Sequence, residues 1–183
     1  MSLHGLEEVI GAAQLGEEWA WTRLYEEIAP QLLGYFRVRG SRNAEDLVGE
    51  TFVQLARNLA RFDGDISSFR SWVFMIAHHR LSNERRRFLR KPETLTDEPV
   101  ADRLVGTSAE DEAISVIGNE EALDMLDELT AAQRNVVALR FIADLSVDET
   151  AEILRISSGA VKQLTRRALQ RLRRRISEQA VTR

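Results

Sequence analysis

Seven cations crowd one stretch near the C-terminus: Lys162, Arg166, Arg167, Arg171, Arg173, Arg174 and Arg175, with no acid among them. A second basic block gathers Arg80, Arg85, Arg86, Arg87, Arg90 and Lys91. Guanidinium forks pair with phosphate oxygens and with the edge of guanine, so such clusters are suited to polyanions. Between them runs an acidic stretch that includes Glu93, Asp97, Glu98, Asp102, Glu110, Asp111 and Glu112. The formal net charge of −4 would oppose nucleic-acid binding if charge were evenly spread. It is segregated instead, and phosphate responds to local potential. A single charge run is commonly a solvated helix face; two blocks flanking an acidic segment point to two separate polyanion-binding surfaces.

The C-terminal block lies on an element that could present it to DNA. Ser146-Val147-Asp148-Glu149 is a capping box that opens a short helix ending near Leu154. After Arg155-Ile156-Ser157 a longer helix begins, capped by Ser157 or Ser158, with Val161, Leu164, Ala168, Leu169, Leu172 and Ile176 on its apolar face. Short helix, tight turn and basic second helix make a helix-turn-helix, whose second helix enters the major groove. Ser158, Gly159 and Ala160 are small, so the first turn can approach a phosphate with its free N–H groups. Lys162, Gln163, Arg166 and Arg167 fall opposite the apolar face, where arginine can pair with guanine and glutamine with adenine. The plainer alternative is a core helix with ordinary surface arginines; the capped helix and turn before it weigh against that.

The elements that must hold these groups read as helices throughout. Trp19, Leu24, Ile28, Leu32 and Tyr35 recur at three- to four-residue spacing, as do Leu47, Phe52, Leu55 and Leu59 behind a plausible N-cap at Asn43. A third helix is predicted from about Ser68 through Trp72, Met75, Ile76 and Leu81 into the arginines, after a loop over 61–67 broken by Gly64 and aspartates. From Lys91 to about Thr107, Pro92, Pro99, Gly106 and acids replace large apolar residues, which reads as a linker. Periodicity returns with Ile114, Ile117, Leu123, Leu126 and Leu129, and Thr130-Ala131-Ala132-Gln133 is a second capping box. No segment alternates with a period of two. The fold class expected is therefore all-α: two helical domains, 1–91 and 109–183, which fold independently about a flexible acidic linker over 92–108.

Several functions are disfavoured. Zero cysteines remove disulfides and thiolate metal sites and suit a reducing cytoplasm. Apolar runs are too short for membrane insertion, and Met1 to Leu15 lacks the layout of a signal peptide. Adjacent His78 and His79 point in different directions on a helix and have no further ligand at metal spacing, so no metal or other cofactor is expected. Trp19 and Trp21 read as core, while Trp72 lies near enough to the 61–67 loop to touch DNA. No phosphate loop or serine-histidine-acid arrangement is present, so no enzyme is expected.

The stretch from Glu128-Leu129-Thr130 to Leu172, with Gln133-Arg134, Leu145-Ser146, Glu149 to Leu154, Ile156-Ser157 and Gly159 to Lys162, resembles region four of extracytoplasmic-function sigma factors. The first half resembles region two of the same family in Ala44 to Phe52, Arg61-Phe62-Asp63 and Phe69 to Ala77. The resemblance implies a protein that binds core RNA polymerase and directs promoter-specific initiation from the cytoplasm. Asp46, Leu47 and Glu50 would dock on the polymerase clamp helices. Asn58, Arg61, Phe62 and Asp63 would receive a flipped base of the minus-ten element, with Phe69, Arg70, Trp72, His79, Arg80 and Asn83 along the adjacent DNA. The helix-turn-helix would read the minus-thirty-five element, and an anti-sigma protein is a candidate controller. His79 and Asn83 depart from the family's usual Asn and Asp, Arg155 from a usual Gly, and Thr150 from a usual Ile. The alternative is a stand-alone helix-turn-helix regulator whose N-terminal half senses a ligand or partner; a nucleic-acid enzyme is a third class.

Overall fold

The computed structural model describes residues 3–90 and 120–182, with side chains from 5 to 88 and from 124 to 178. Every regular element in these residues is helical. The N-terminal set is α1 (Leu3–Gln14), α2 (Glu18–Val38), α3 (Ala44–Asn58), a 3-10 turn (Leu59–Arg61) and α4 (Ile66–Arg90). The C-terminal set is α5 (Glu120–Asp127), α6 (Ala131–Val137), a π-helical turn (Ala138–Ile142), α7 (Val147–Leu154) and α8 (Ser158–Thr182). The expected linker and most of the 114–129 periodicity fall outside the described residues.

Local chemistry accounts for most element ends. Both capping boxes form: Thr130 Oγ1 accepts from the Gln133 N–H, Ser146 Oγ accepts from the Glu149 N–H, and each third-position side chain accepts from its cap N–H. Ser157 caps α8, its Oγ accepting from the Ala160 N–H at 3.1 Å. Asn43 sits at the cap position of α3 but turns its amide to Glu84 Oε1 instead. The third helix starts at Ile66, earlier than its apolar pattern suggested, because Asp65 Oδ1 accepts from the Ser68 N–H and caps it.

The stripes read from the sequence converge. Leu24, Ile28, Leu32, Tyr35 and Phe36 of α2 meet Leu47, Val48 and Leu55 of α3 and Phe69, Val73, Phe74, Ala77 and Leu81 of α4, while Leu6, Val9, Ile10 and Ala13 of α1 close one side. In the C-terminal set Val136, Ala151 and Val161 pack together, and so do Leu129, Val137 and Ala168.

The halves, expected to fold independently, share a core. Ala138, Leu139, Ala143, Leu145 and Ile153 belong to the same apolar cluster as the N-terminal helices. Arg70 Nη2 donates to Gln31 Oε1 and to the Ala143 carbonyl, each at 3.0 Å, and Ser67 Oγ donates to Glu149 Oε1 at 2.7 Å. The reason lies in the π turn. Its Ala138 and Leu139 are fully buried where the turn packs on α2, while α7 packs on α4.

Two departures from the family pattern carry a cost in this fold. Arg155 ends α7 with φ 54° and ψ 46°, the left-handed region that disfavours a β-carbon by about 1 kcal/mol. Thr150 is fully buried and its hydroxyl has no hydrogen-bond partner among the described residues. Arg155→Gly should therefore raise unfolding free energy by about 1 kcal/mol, and Thr150→Val by about 1–3 kcal/mol, since it removes an unpaired buried hydroxyl at constant shape. Urea unfolding of the full chain followed by circular dichroism measures both.

Candidate nucleic-acid interface

Helices α7 and α8 are joined by the turn Arg155–Ser157, and the start of α8 is tied back to α7 by Ser158 Oγ donating to Asp148 Oδ1 at 2.6 Å. Val161 and Ala168 are fully buried, which fixes the rotation of α8 about its axis. Lys162, Gln163, Arg166 and Arg167 consequently face solvent, as do Arg171, Arg173 and Arg174 farther along. Gly159 is exposed and Ser158 and Ala160 half-buried, so the first turn is open to a close approach. Arg175 departs from its block: its Nε is paired with Glu128 Oε1 at 3.0 Å, binding α8 to the end of α5.

The second basic surface is built on α4. Its buried stripe takes Phe69, only 1% exposed, into the core, and Arg70 into the seam with the C-terminal half. Neither therefore lies on the open face with the other minus-ten candidates. Both are one helical turn from Val73 and Phe74, and the stripe outweighs their aromatic and cationic character. His79 and Asn83 are exposed and one turn apart. Arg80 is held, with Nη1 3.2 Å from Glu50 Oε2 and Nη2 2.9 Å from Gln54 Oε1.

The loop between α3 and α4 presents Arg61 and Asp63 outward. Phe62 stacks on Trp72 at 5.2 Å with planes 15° apart and meets Phe69 edge-on at 5.6 Å. Gly64 is needed for this fold, because a β-carbon there would lie 2.8 Å from Phe62 Cζ and 3.0 Å from Ser68 Cβ. Asn58 is half-buried and donates to the Gln54 carbonyl at 2.8 Å, so its amide is already engaged.

On α3, Asp46 is exposed, whereas Leu47 is buried and acts on any partner only by holding the helix. Asp46 and Glu50 line one wall of a groove of about 320 Å³, with Arg80, Asn83, Arg87 and Phe88 opposite on α4. The carboxylates of α3 and the cations of α4 thus share one cleft.

A polar cluster that the sequence reading did not identify as a unit organises this surface. Glu84 is nearly buried and accepts from Ser41 Oγ at 3.0 Å and Asn43 Nδ2 at 3.3 Å, tying the α2–α3 turn to α4. Tyr35 Oη lies 3.1 Å from His78 Nδ1 and accepts from Arg39 Nη1 at 2.9 Å. Arg39 is itself buried, and Arg85 donates to its carbonyl. The available signal was polar residues at apolar-stripe spacing, which is hard to separate from an exposed face without the partner helix. Among the described residues no group of three or more histidines or carboxylates could hold a metal, and no helix is long and apolar enough to cross a membrane.

Comparison with known proteins is consistent with this geometry. Family models for Sigma-70 region 2 and for Sigma-70, region 4 match residues 24–91 and 125–174. ECF RNA polymerase sigma factor BldN of Streptomyces coelicolor is 33% identical over 175 residues, covering 94% of this chain but 66% of that protein, just short of two thirds of its length. ECF RNA polymerase sigma factor ShbA of Streptomyces griseus is 31% identical over 179 residues, 90% of this chain and 94% of that protein. Of solved structures, CnrH in complex with the cytosolic domain of CnrY superposes with a TM-score of 0.61 at 21% identity, covering 93% of this chain and 96% of that one. The sigma factor RpoE of Bartonella quintana, in complex with the anti-sigma factor NepR, gives a TM-score of 0.64 at 20% identity, covering 85% and 96%. These two likenesses show a shared helical fold.

The buried cluster beneath α4 should make stability depend on pH. Burial, reinforced by Arg39, His79 and Arg85, lowers the His78 pKa from 6.5 to about 4. The folded chain therefore prefers neutral His78, and between these values the unfolded chain binds the extra proton. Stability from this group is fully present above about pH 6.5 and drains away as pH falls toward 4. His78→Gln should flatten that decline, measured as melting temperature at pH 7, 6 and 5. Parallel curves for parent and variant would contradict it.

Proposed function

The chain belongs to the extracytoplasmic-function sigma factors of RNA polymerase, and on that premise we propose how its surfaces bring the polymerase to a promoter and open it. The N-terminal half, residues 1–91, acts as region two: it holds core polymerase and recognises and melts the minus-ten element. The C-terminal half, residues 109–183, acts as region four and binds the minus-thirty-five element. The acidic segment 92–108 lies in the polymerase cleft that later takes nucleic acid. Core polymerase and promoter DNA are the partners, and an anti-sigma protein is the controller that would have to cover these surfaces. The protein works by binding alone, in the cytoplasm, with no catalytic residue and no cofactor.

The observation that carries this reading is the bare cationic face of α8, where Lys162, Gln163, Arg166 and Arg167 all face solvent near the helix start. A helix N-terminus in the major groove brings residues at these positions to base edges, and those farther along to phosphates. On the other half, Asp46 is the exposed carboxylate for a basic partner, Leu47 holds its helix, and Glu50 serves together with its Arg80 pair. Arg61, Phe62 and Asp63 offer a base a cation, an aromatic wall and a carboxylate, with Asn58 and Trp72 bracing them; His79, Arg80 and Asn83 flank the strand. Phe69 and Arg70 serve by positioning.

Two outcomes are expected. Asp46→Lys should weaken co-purification with core polymerase without lowering melting temperature, since Asp46 is exposed; unchanged co-purification would remove Asp46 from the docking surface. Arg166→Ala should lose roughly 1–3 kcal/mol at the preferred minus-thirty-five sequence and blur the base preference there, while Arg173→Ala should weaken all sequences alike. Transcription by core polymerase from single-base promoter variants distinguishes these. Tight, sequence-specific promoter binding by the protein without polymerase would favour a stand-alone regulator instead.

A further inference from the structure

The loop that carries Arg61, Phe62 and Asp63 is held from behind by a residue of α1, ahead of the residues matched by the region 2 model. Gln14 Nε2 donates to two carbonyls, Leu59 at 3.1 Å and Phe62 at 2.7 Å. These are the acceptors on either side of Ala60 and Arg61, at the point where the 3-10 turn runs out into the loop. The Leu59 carbonyl already accepts from the Phe62 N–H at 2.9 Å, and the Gln14 amide adds a donor to it and one to the Phe62 carbonyl from an element 45 residues away in sequence. We infer that Gln14 is a positioning residue for minus-ten recognition: one amide group bridging two loop carbonyls sets where Arg61 and Asp63 point.

Three observations make the bridge more than incidental. First, its base is rigid. Leu6, Val9, Ile10 and Ala13 are all buried, and α1 ends directly after Gln14 in a turn where Gly16 takes φ +87° and the Glu17 N–H returns to the Ala12 carbonyl. Second, side-chain packing leaves a gap beside the bridge. A cavity of about 190 Å³ separates Glu7, Ile10 and Gly11 from Asp63, Gly64 and Ile66, so the two hydrogen bonds span a gap. Third, the carbonyl of Phe62 is the backbone atom between an anchored ring and a reading residue. The ring is fixed by Trp72 and Phe69, so with the carbonyl fixed as well, the peptide leading to Asp63 has little freedom left.

The inference rests on the reading of this loop as the minus-ten contact, and the test separates the two. Core polymerase loaded with the full chain is assayed on promoters carrying each base at every minus-ten and minus-thirty-five position. Gln14→Met keeps length and removes both donors; Gln14→Lys restores a donor of similar reach. Asp63→Ala reports on the loop itself. Gln14→Met is expected to flatten the minus-ten base preference by roughly five- to tenfold, the scale of one or two lost hydrogen bonds, and to leave the minus-thirty-five profile unchanged. Gln14→Lys is expected to recover most of the preference. If Asp63→Ala changes the minus-ten profile and Gln14→Met does not, or if Gln14→Met lowers every promoter by one factor, the positioning role is wrong. A Lys variant that recovers nothing overturns the role of the donor. If Asp63→Ala also leaves the minus-ten profile intact, the loop reading fails and the inference falls with it.

Discussion

The seating of α4 on α2 is the contact from which the rest of the molecule takes its register. Tyr35 meets Phe74 edge-on at 5.6 Å, and Val73, Phe74 and Ala77 are fully buried between α2 and α3. Each buried aromatic of this size is worth about 1.5–3 kcal/mol, and a helix rotated by one residue would lose several at once. That rotation decides everything on the far side. His79 and Asn83 face outward only because Val73, Phe74 and Ala77 face inward, and Trp72 is left half-buried against the ring of Phe62. The same seating delivers Phe69 to the loop ring of Phe62 and Arg70 to the C-terminal half.

A polar layer lies within that apolar contact and gives it direction. Arg39 is buried with no carboxylate partner among the described residues; burial lowers its pKa, the neighbouring Tyr35 opposes that, and Tyr35 is itself raised by burial. A buried cation is tolerated only where its donors find acceptors, and here Tyr35 Oη takes one and passes the network to His78. Arg85 and Glu84 fasten the α2–α3 turn to α4 from the same layer. The carboxylate face of α3 is thereby locked to the cationic face of α4, and the Arg80–Glu50 pair closes the link at the surface. A basic partner that engages Glu50 competes with Arg80 for it, so occupation of the α3 carboxylates and the freedom of Arg80 are physically coupled.

What could be read from the sequence follows the range of each interaction. Capping boxes at Thr130 and Ser146, the turn at Arg155 and the exposed face of α8 depend on neighbours within one or two helical turns, and all were legible. The families of regions two and four were legible too, because their motifs are local strings. Misplaced residues share a different property. Phe69 and Arg70 sit where an aromatic and a cation read as DNA contacts, yet Phe69 is buried in the shared core and Arg70 is engaged by Gln31 and Ala143, 39 and 73 residues distant. Gln14 and Glu84 went unnoticed, and Tyr35 was read only as part of an apolar stripe, for the same reason: each has a partner on another element, at a separation no periodicity encodes. The π turn after α6 was invisible because its apolar residues continue the helical pattern of Val136 and Val137.

The seam between the halves has the composition of a contact that can part. Its polar links are an arginine on a backbone carbonyl and an exposed serine on a carboxylate, each worth on the order of 1 kcal/mol net. Of its apolar residues on the C-terminal side, Ala138 and Ala143 are small, leaving Leu139, Leu145 and Ile153 to hold most of the area. Yet the seam uses the N-terminal turn of α4, one turn from Trp72 and directly after the loop at Asp63. That turn is engaged by the C-terminal half, since Ser67 and Arg70 donate to Glu149 and to the Ala143 carbonyl. The cationic face of α8, by contrast, points away from α6 and α7 and stays open while the seam is closed. The two cationic surfaces therefore differ in kind: the exposed face of α8 is open while the seam is closed, and the N-terminal turn of α4 is engaged by the C-terminal half.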